Sequence, residues 1–214
     1  MNLLEPIAER LRRFRNYVRI TEADEIARRY FVMNAFDGSL TMLGVILGTF
    51  LARVHDPRVV IGAGIGASLA MGMSGFFGTY MTERAERTRK LKKLERAMVT
   101  NLNETVWDNA SSFVSFWAAL VDGVSPAAAA IVAIIPFLLA QLGWVNFNSA
   151  VALSVGLILA TLFFLGAYLG RVSEENAPLS GVRMLLVGLV TGLFIWLISS
   201  GGTHGSALIL VALG

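Results

Sequence analysis

Four apolar stretches, residues 31–52, 59–81, 150–170 and 182–200, decide what this chain can become. Each has about the twenty residues that a helix rising about 1.5 Å per residue needs to cross roughly 30 Å of hydrocarbon. A fifth stretch, 111–142, would be about 48 Å long as one straight helix, so it must tilt, protrude or break, and the expected break is Gly123-Val124-Ser125-Pro126. It makes one span with a cytosolic extension, because two half-length pieces would not each cross. With 55% hydrophobic residues and a mean hydropathy of +0.64, the chain is too apolar for a soluble domain of this length. The expectation is an all-α polytopic membrane protein of five transmembrane helices.

Lysine and arginine set the orientation. Seven arginines precede the first span and seven basic residues fall within 84–96, whereas the link after the first span holds only Arg53 and Arg58, and the one from Trp144 to Asn148 holds none. The positive-inside rule then predicts a cytosolic N-terminus and an external C-terminus. It also accounts for the +3 net charge, which is no argument for nucleic acid. The first thirty residues are arginine-rich without an apolar run, so a cleaved signal peptide is not expected. Leu4, Ile7, Leu11, Phe14 and Val18 recur there at steps of three and four among arginines. That pattern predicts an interfacial amphipathic helix drawn to anionic lipid, with packing on another cytosolic segment as the alternative. Residues 82–103 also read as a helix, with Glu83/Arg87 and Glu86/Lys90 at pairing distance. Cysteine is absent, which excludes disulfides, thiol nucleophiles and cysteine-held metal clusters.

Glycines at four-residue spacing, Gly44/Gly48, Gly62/Gly66, Gly166/Gly170 and Gly188/Gly192, allow close helix approach within a protomer or across a dimer, and Gly72, Gly75 and Gly78 continue such a face. An internal repeat is more informative. Asp37-Gly38 opens the first span and Asp122-Gly123 lies in the third, while Gly78-Thr79-Tyr80 and Gly166-Ala167-Tyr168 end the second and fourth. The chain reads as a duplicated two-helix hairpin plus one helix. Its expected segments are 1–30, a first hairpin 31–81, a basic link 82–110, a second hairpin 111–170, and a fifth helix with tail 171–214.

Of the charged residues, only Asp37 and Asp122 lie well inside apolar stretches. An aspartate at mid-membrane costs a few kcal/mol, so its default reading is an ion pathway, proton relay or ligand. The alternative is a hydrated aspartate near the interface, or one capping a helix broken at Gly38 or Gly123. Asp37 lies about 9 Å along the helix from Phe31, hence not deep. Asn34 and Thr41 share its face and are candidate oxygen ligands, and Ser125 stands similarly to Asp122. If the repeat holds, the two carboxylates face each other across a pseudo-twofold axis as a divalent-cation site. Met71 and Met73 read as packing, or as soft ligands for a transition metal. Glu83 and Glu86, near the cytosolic mouth, read as helix-surface pairs or as cation collectors. His55 and His204 read as solvated.

At these residues the chain resembles the vacuolar iron transporter family, whose members export ferrous iron or manganese from the cytosol. The run from Arg29 through Asn34 and Ala35 to Asp37-Gly38-Ser39 is similar to that family's first-span motif. Ser74 to Tyr80 resembles a second span ending in Gly-Glu-Tyr, and Ile135-Pro136-Phe137-Leu138 its proline-bearing third. The chain departs from the pattern at Thr79, where the family carries glutamate, at Gly75, where methionine is expected, and in the basic 84–96 segment, which replaces a glutamate-rich metal-binding domain. The resemblance implies a homodimeric, proton-coupled exporter of divalent cations in a prokaryotic cell membrane. The metal is its substrate, and neither enzymatic activity nor a resident cofactor is expected. Candidate metal-contacting residues are Asp37, Asp122, Asn34, Thr41, Met73, Thr79, Glu83 and Glu86. Two other classes compete. An intramembrane aspartyl hydrolase would use the two aspartates as a dyad, but lacks a Gly-x-Gly-Asp context. A non-transporting scaffold would use the basic N-terminus as its anchor.

Overall fold

The computed structural model describes residues 23–99 and 106–212, with only the helical backbone for 106–111 and 200–212. The expected amphipathic pattern from Leu4 to Val18 lies outside the described residues. Among them every regular element is an α-helix: α1 (Ala23–Leu51), α2 (Pro57–Met98), α3 (Val106–Gln141), α4 (Phe147–Val172) and α5 (Ala177–Ala212). Each contains a segment long and apolar enough to cross a membrane, and the protein is accordingly an integral membrane protein, with five such helices among the described residues.

Three features of the helices differ from or extend the sequence reading. First, α1 starts eight residues before Phe31, which makes Asp37 the fifteenth of its 29 residues, at mid-helix instead of near an end. Second, α2 fuses the second span with the basic segment into one rod of 42 residues, about 63 Å long and roughly twice the hydrocarbon thickness. Third, the break expected at Gly123–Pro126 is absent: α3 runs unbroken through Pro126 and Pro136. Membrane helices tolerate proline where side chains and neighbours hold the backbone in place. Here the Ser125 hydroxyl donates to the Val121 carbonyl within α3, and Gly38 of α1 lets the Pro126 backbone come close. A Cβ at residue 38 would lie 2.9 Å from Pro126 Cα and 3.0 Å from its carbonyl oxygen. The same continuity excludes the helix-cap reading of both aspartates.

The described residues divide into two compact units within α1, α2 and α3; 23–33 and the described part of 71–125 form one, 34–70 and 126–212 the other. In the second unit, Met42, Leu43 and Ile46 of α1, Ile134 and Phe137 of α3, and Ile158 and Leu162 of α4 build a buried apolar core. Bare Gly64 on α2 gives Met42 and Ile134 room. Ser154 of α4 donates a 2.8 Å hydrogen bond to the Ala133 carbonyl of α3. Lipid is as apolar as leucine, so helix association rests on close packing and such polar contacts. α4 and α5 meet at Gly166 and Gly170, where a Cβ would lie 2.6 Å from the Ser180 carbonyl oxygen and 2.8 Å from Ser180 Cβ. The opposite surface of α5 is apolar, with Leu186, Val190, Leu193 and Leu197 exposed, as a lipid-facing helix requires.

Three helices end on a left-handed residue whose successor donates its N–H five residues back. After α3 this is Gly143 (φ +79°), with Trp144 N–H to Leu139 O at 3.1 Å; after α1 and α4 it is Arg53 (φ +59°) and Glu174 (φ +56°). Glycine adopts this conformation without steric cost, whereas the arginine and the glutamate are strained.

Candidate functional site

In the first unit, α2 presents Gly75, Thr79, Glu83 and Arg87 at four-residue steps, hence along one face. The face begins beside a backbone crossing. A Cβ at Gly72 would lie 2.6 Å from the Gly123 carbonyl oxygen of α3, and one at Gly123 would lie 2.9 Å from the Gly72 oxygen. Two glycines thus bring α2 and α3 into reciprocal backbone contact. One turn along, the Asp122 carboxylate lies over Gly75, whose absent Cβ would stand 3.2 Å from Oδ2. A further turn on, the Thr79 hydroxyl donates to that same Oδ2. Asp122 is 4% exposed and Thr79 8% exposed.

A carboxylate buried in this way is expensive unless hydrogen-bonded, and more so in a membrane helix. Gly75 provides its space and Thr79 one of its hydrogen bonds. The Thr79 hydroxyl meets the carboxylate that the neighbouring helix brings to it. Ser125, expected to stand with Asp122, turns its hydroxyl to its own helix.

Further along the face, the half-buried Glu83 receives a 3.0 Å hydrogen bond from the Tyr30 hydroxyl of α1 and pairs with Arg87 Nε at 3.4 Å. The expected Glu83/Arg87 pair is therefore present. Glu86 is exposed and pairs with Arg89 at 3.9 Å, three residues on, and not with Lys90. Arg84 reaches the Tyr80 hydroxyl at 2.9 Å.

In the second unit, Asp37 is exposed on α1 while Gly38 and Ser39 beside it are buried. Gly38 sits against Pro126, and the Ser39 hydroxyl donates to the Ala35 carbonyl at 2.7 Å, so the turn bearing Asp37 is fixed. Asn34 and Thr41 are half-buried. Met73 is 58% exposed, as packing against lipid would have it, and Met71 is half-buried. His55 is exposed, its Nδ1 3.0 Å from the Arg53 carbonyl oxygen and its ring edge-on to Phe50 and Phe147; the side chain of His204 lies outside the described ones. Among the described residues no three His, Cys, Asp or Glu side chains gather as a metal cage.

Sequence reasoning singled out both aspartates and the Glu83/Arg87 pair, but not the Tyr30–Glu83 hydrogen bond or the meeting of Gly75, Thr79 and Asp122. The four-residue spacing from Gly75 to Arg87 was the available signal.

Comparison with known proteins adds to this geometry. The model of the VIT family matches residues 28–109 and 88–200, most of the chain. An uncharacterised protein of Methanocaldococcus jannaschii is similar as well, 28% identical over 177 residues that span 81% of this chain and 89% of that protein.

Proposed function

The chain belongs to the VIT family, a family of metal-ion transporters, and on that premise we propose that it exports divalent cations of the iron or manganese type from the cytosol in exchange for protons. The observation that carries this reading is the Asp122 carboxylate, buried between two membrane helices and held by Thr79. A group of that kind binds a cation or a proton reversibly, and a scaffold has no use for it. The second carboxylate is Asp37. An exposed aspartate inside the apolar part of α1 is costly against lipid, and its exposure on a single protomer supports a homodimer in which a second copy covers it. Asn34 and Thr41 belong to the same part of α1, and Glu83 and Glu86 to the basic end of α2, which the positive-inside rule puts in the cytosol together with the N-terminus.

Reconstitution into liposomes tests the proposal. Inward-facing protein should move Mn²⁺ or Fe²⁺ against a proton gradient, with lumenal pH changing in step. The absence of any divalent flux, together with no divalent-ion-dependent rise in thermal stability, would favour the scaffold reading.

A further inference from the structure

Positions 79 and 122 belong to different helices but address one point. The Thr79 hydroxyl touches Asp122 Oδ2, Gly75 leaves the space in which that carboxylate lies, and the Gly72–Gly123 crossing fixes the separation of the two backbones one to two turns away. Both groups at the point are oxygen donors, which suits hard cations such as Mn²⁺ better than thiophilic ones. We propose that transport needs a carboxylate at this point and not on a particular helix, with Thr79 and Gly75 as the positioning residues that aim Asp122 there to take a hard divalent cation. The proposal rests on the transport reading above. Two consequences separate it from a structural role for Asp122. Loss of the Thr79 hydroxyl leaves the carboxylate present but unaimed. Moving the carboxylate from α3 to α2 restores the function.

The test uses the full-length protein in liposomes with Mn²⁺ as the probe, alongside melting in detergent. Asp122→Asn should abolish Mn²⁺ flux. Thr79→Val, nearly isosteric, should raise the KM for Mn²⁺ by about tenfold, the worth of one hydrogen bond to a charged group, with kcat less affected. Asp122→Asn combined with Thr79→Glu should recover a substantial part of wild-type flux, while Asp122→Asn with Thr79→Gln should not. An unchanged KM in Thr79→Val would overturn the proposal, as would a folded Thr79→Glu/Asp122→Asn protein no more active than Asp122→Asn. A wild-type protein that moves no divalent cation would overturn the transport reading and this inference together; wild-type flux with a failed swap would overturn the inference alone.

Discussion

Gly72→Ala is the sharpest probe of how α2 and α3 are held. The new Cβ would lie 2.6 Å from the Gly123 carbonyl oxygen, a backbone atom that no rotamer change can move, and ordinary contact begins at 3.4 Å. The helices must therefore separate by about 0.8 Å at this crossing, the difference between those distances. Overpacking of this kind costs about 1–3 kcal/mol. Alanine returns about 0.5–1 kcal/mol through its higher helix propensity, so the net loss is about 0–2.5 kcal/mol. For a chain of this size that lowers Tm by up to about 10 °C. Gly78→Ala is the internal control: it lies in the same helix, six residues on, with nothing within 4 Å of its Cβ position, so the propensity gain stands alone. Melting of both variants in the same detergent should place Gly72→Ala below wild type and Gly78→Ala at or above it. Equal melting temperatures for the two would refute the reciprocal backbone contact.

Further expectations concern topology, the first-span carboxylate and a strained turn. Single cysteines at Lys92 and Asn146, introduced into this cysteine-free chain, should react from opposite sides of the membrane; labelling from one side would contradict the five-span orientation. Asp37→Asn, which removes charge but little volume, should abolish divalent flux while leaving the melting temperature near wild type, and unchanged flux would make Asp37 a bystander. Glu174→Gly should stabilise the protein by about 1 kcal/mol, read as a higher Tm, because glycine relieves the left-handed strain at φ +56°; Gly143→Ala, at the equivalent turn after α3, should do the reverse.

The spans were legible because one physical quantity, apolar length, dictates them: residues 150–170 fall inside α4 and 182–200 inside α5. Helix ends were less legible. Residues 23–30 and 82–98 are polar, and nothing in hydropathy distinguishes a helix that stops at the membrane surface from one that continues beyond it. The break expected at Gly123–Pro126 failed for a related reason. Local rules read glycine and proline as helix breakers, while here both serve close approach, Gly123 to Gly72 and Pro126 to Gly38. The aspartates stood out by their cost in an apolar run, yet the sequence could not say that Thr79 is the partner of Asp122, since that pairing depends on how α2 and α3 are turned toward each other. The same holds for Tyr30 and Glu83, 53 residues apart.

The Gly72–Gly123 crossing carries a consequence for how such a chain can diverge. Most packed pairs leave room for compensation: one side chain grows, its neighbour shrinks, and the volume is conserved. Neither member of this pair can shrink, because each is already the smallest residue there is. A substitution at one has no rescuing substitution at the other, so the crossing is a dead end for drift. Positions 75, 79 and 122 beside it remain open to trade, since a carboxylate, a hydroxyl and a bare backbone can be redistributed among them at nearly constant volume. Change in the chemistry of this region is therefore channelled into exchange between the two helices, around an axle that stays the same.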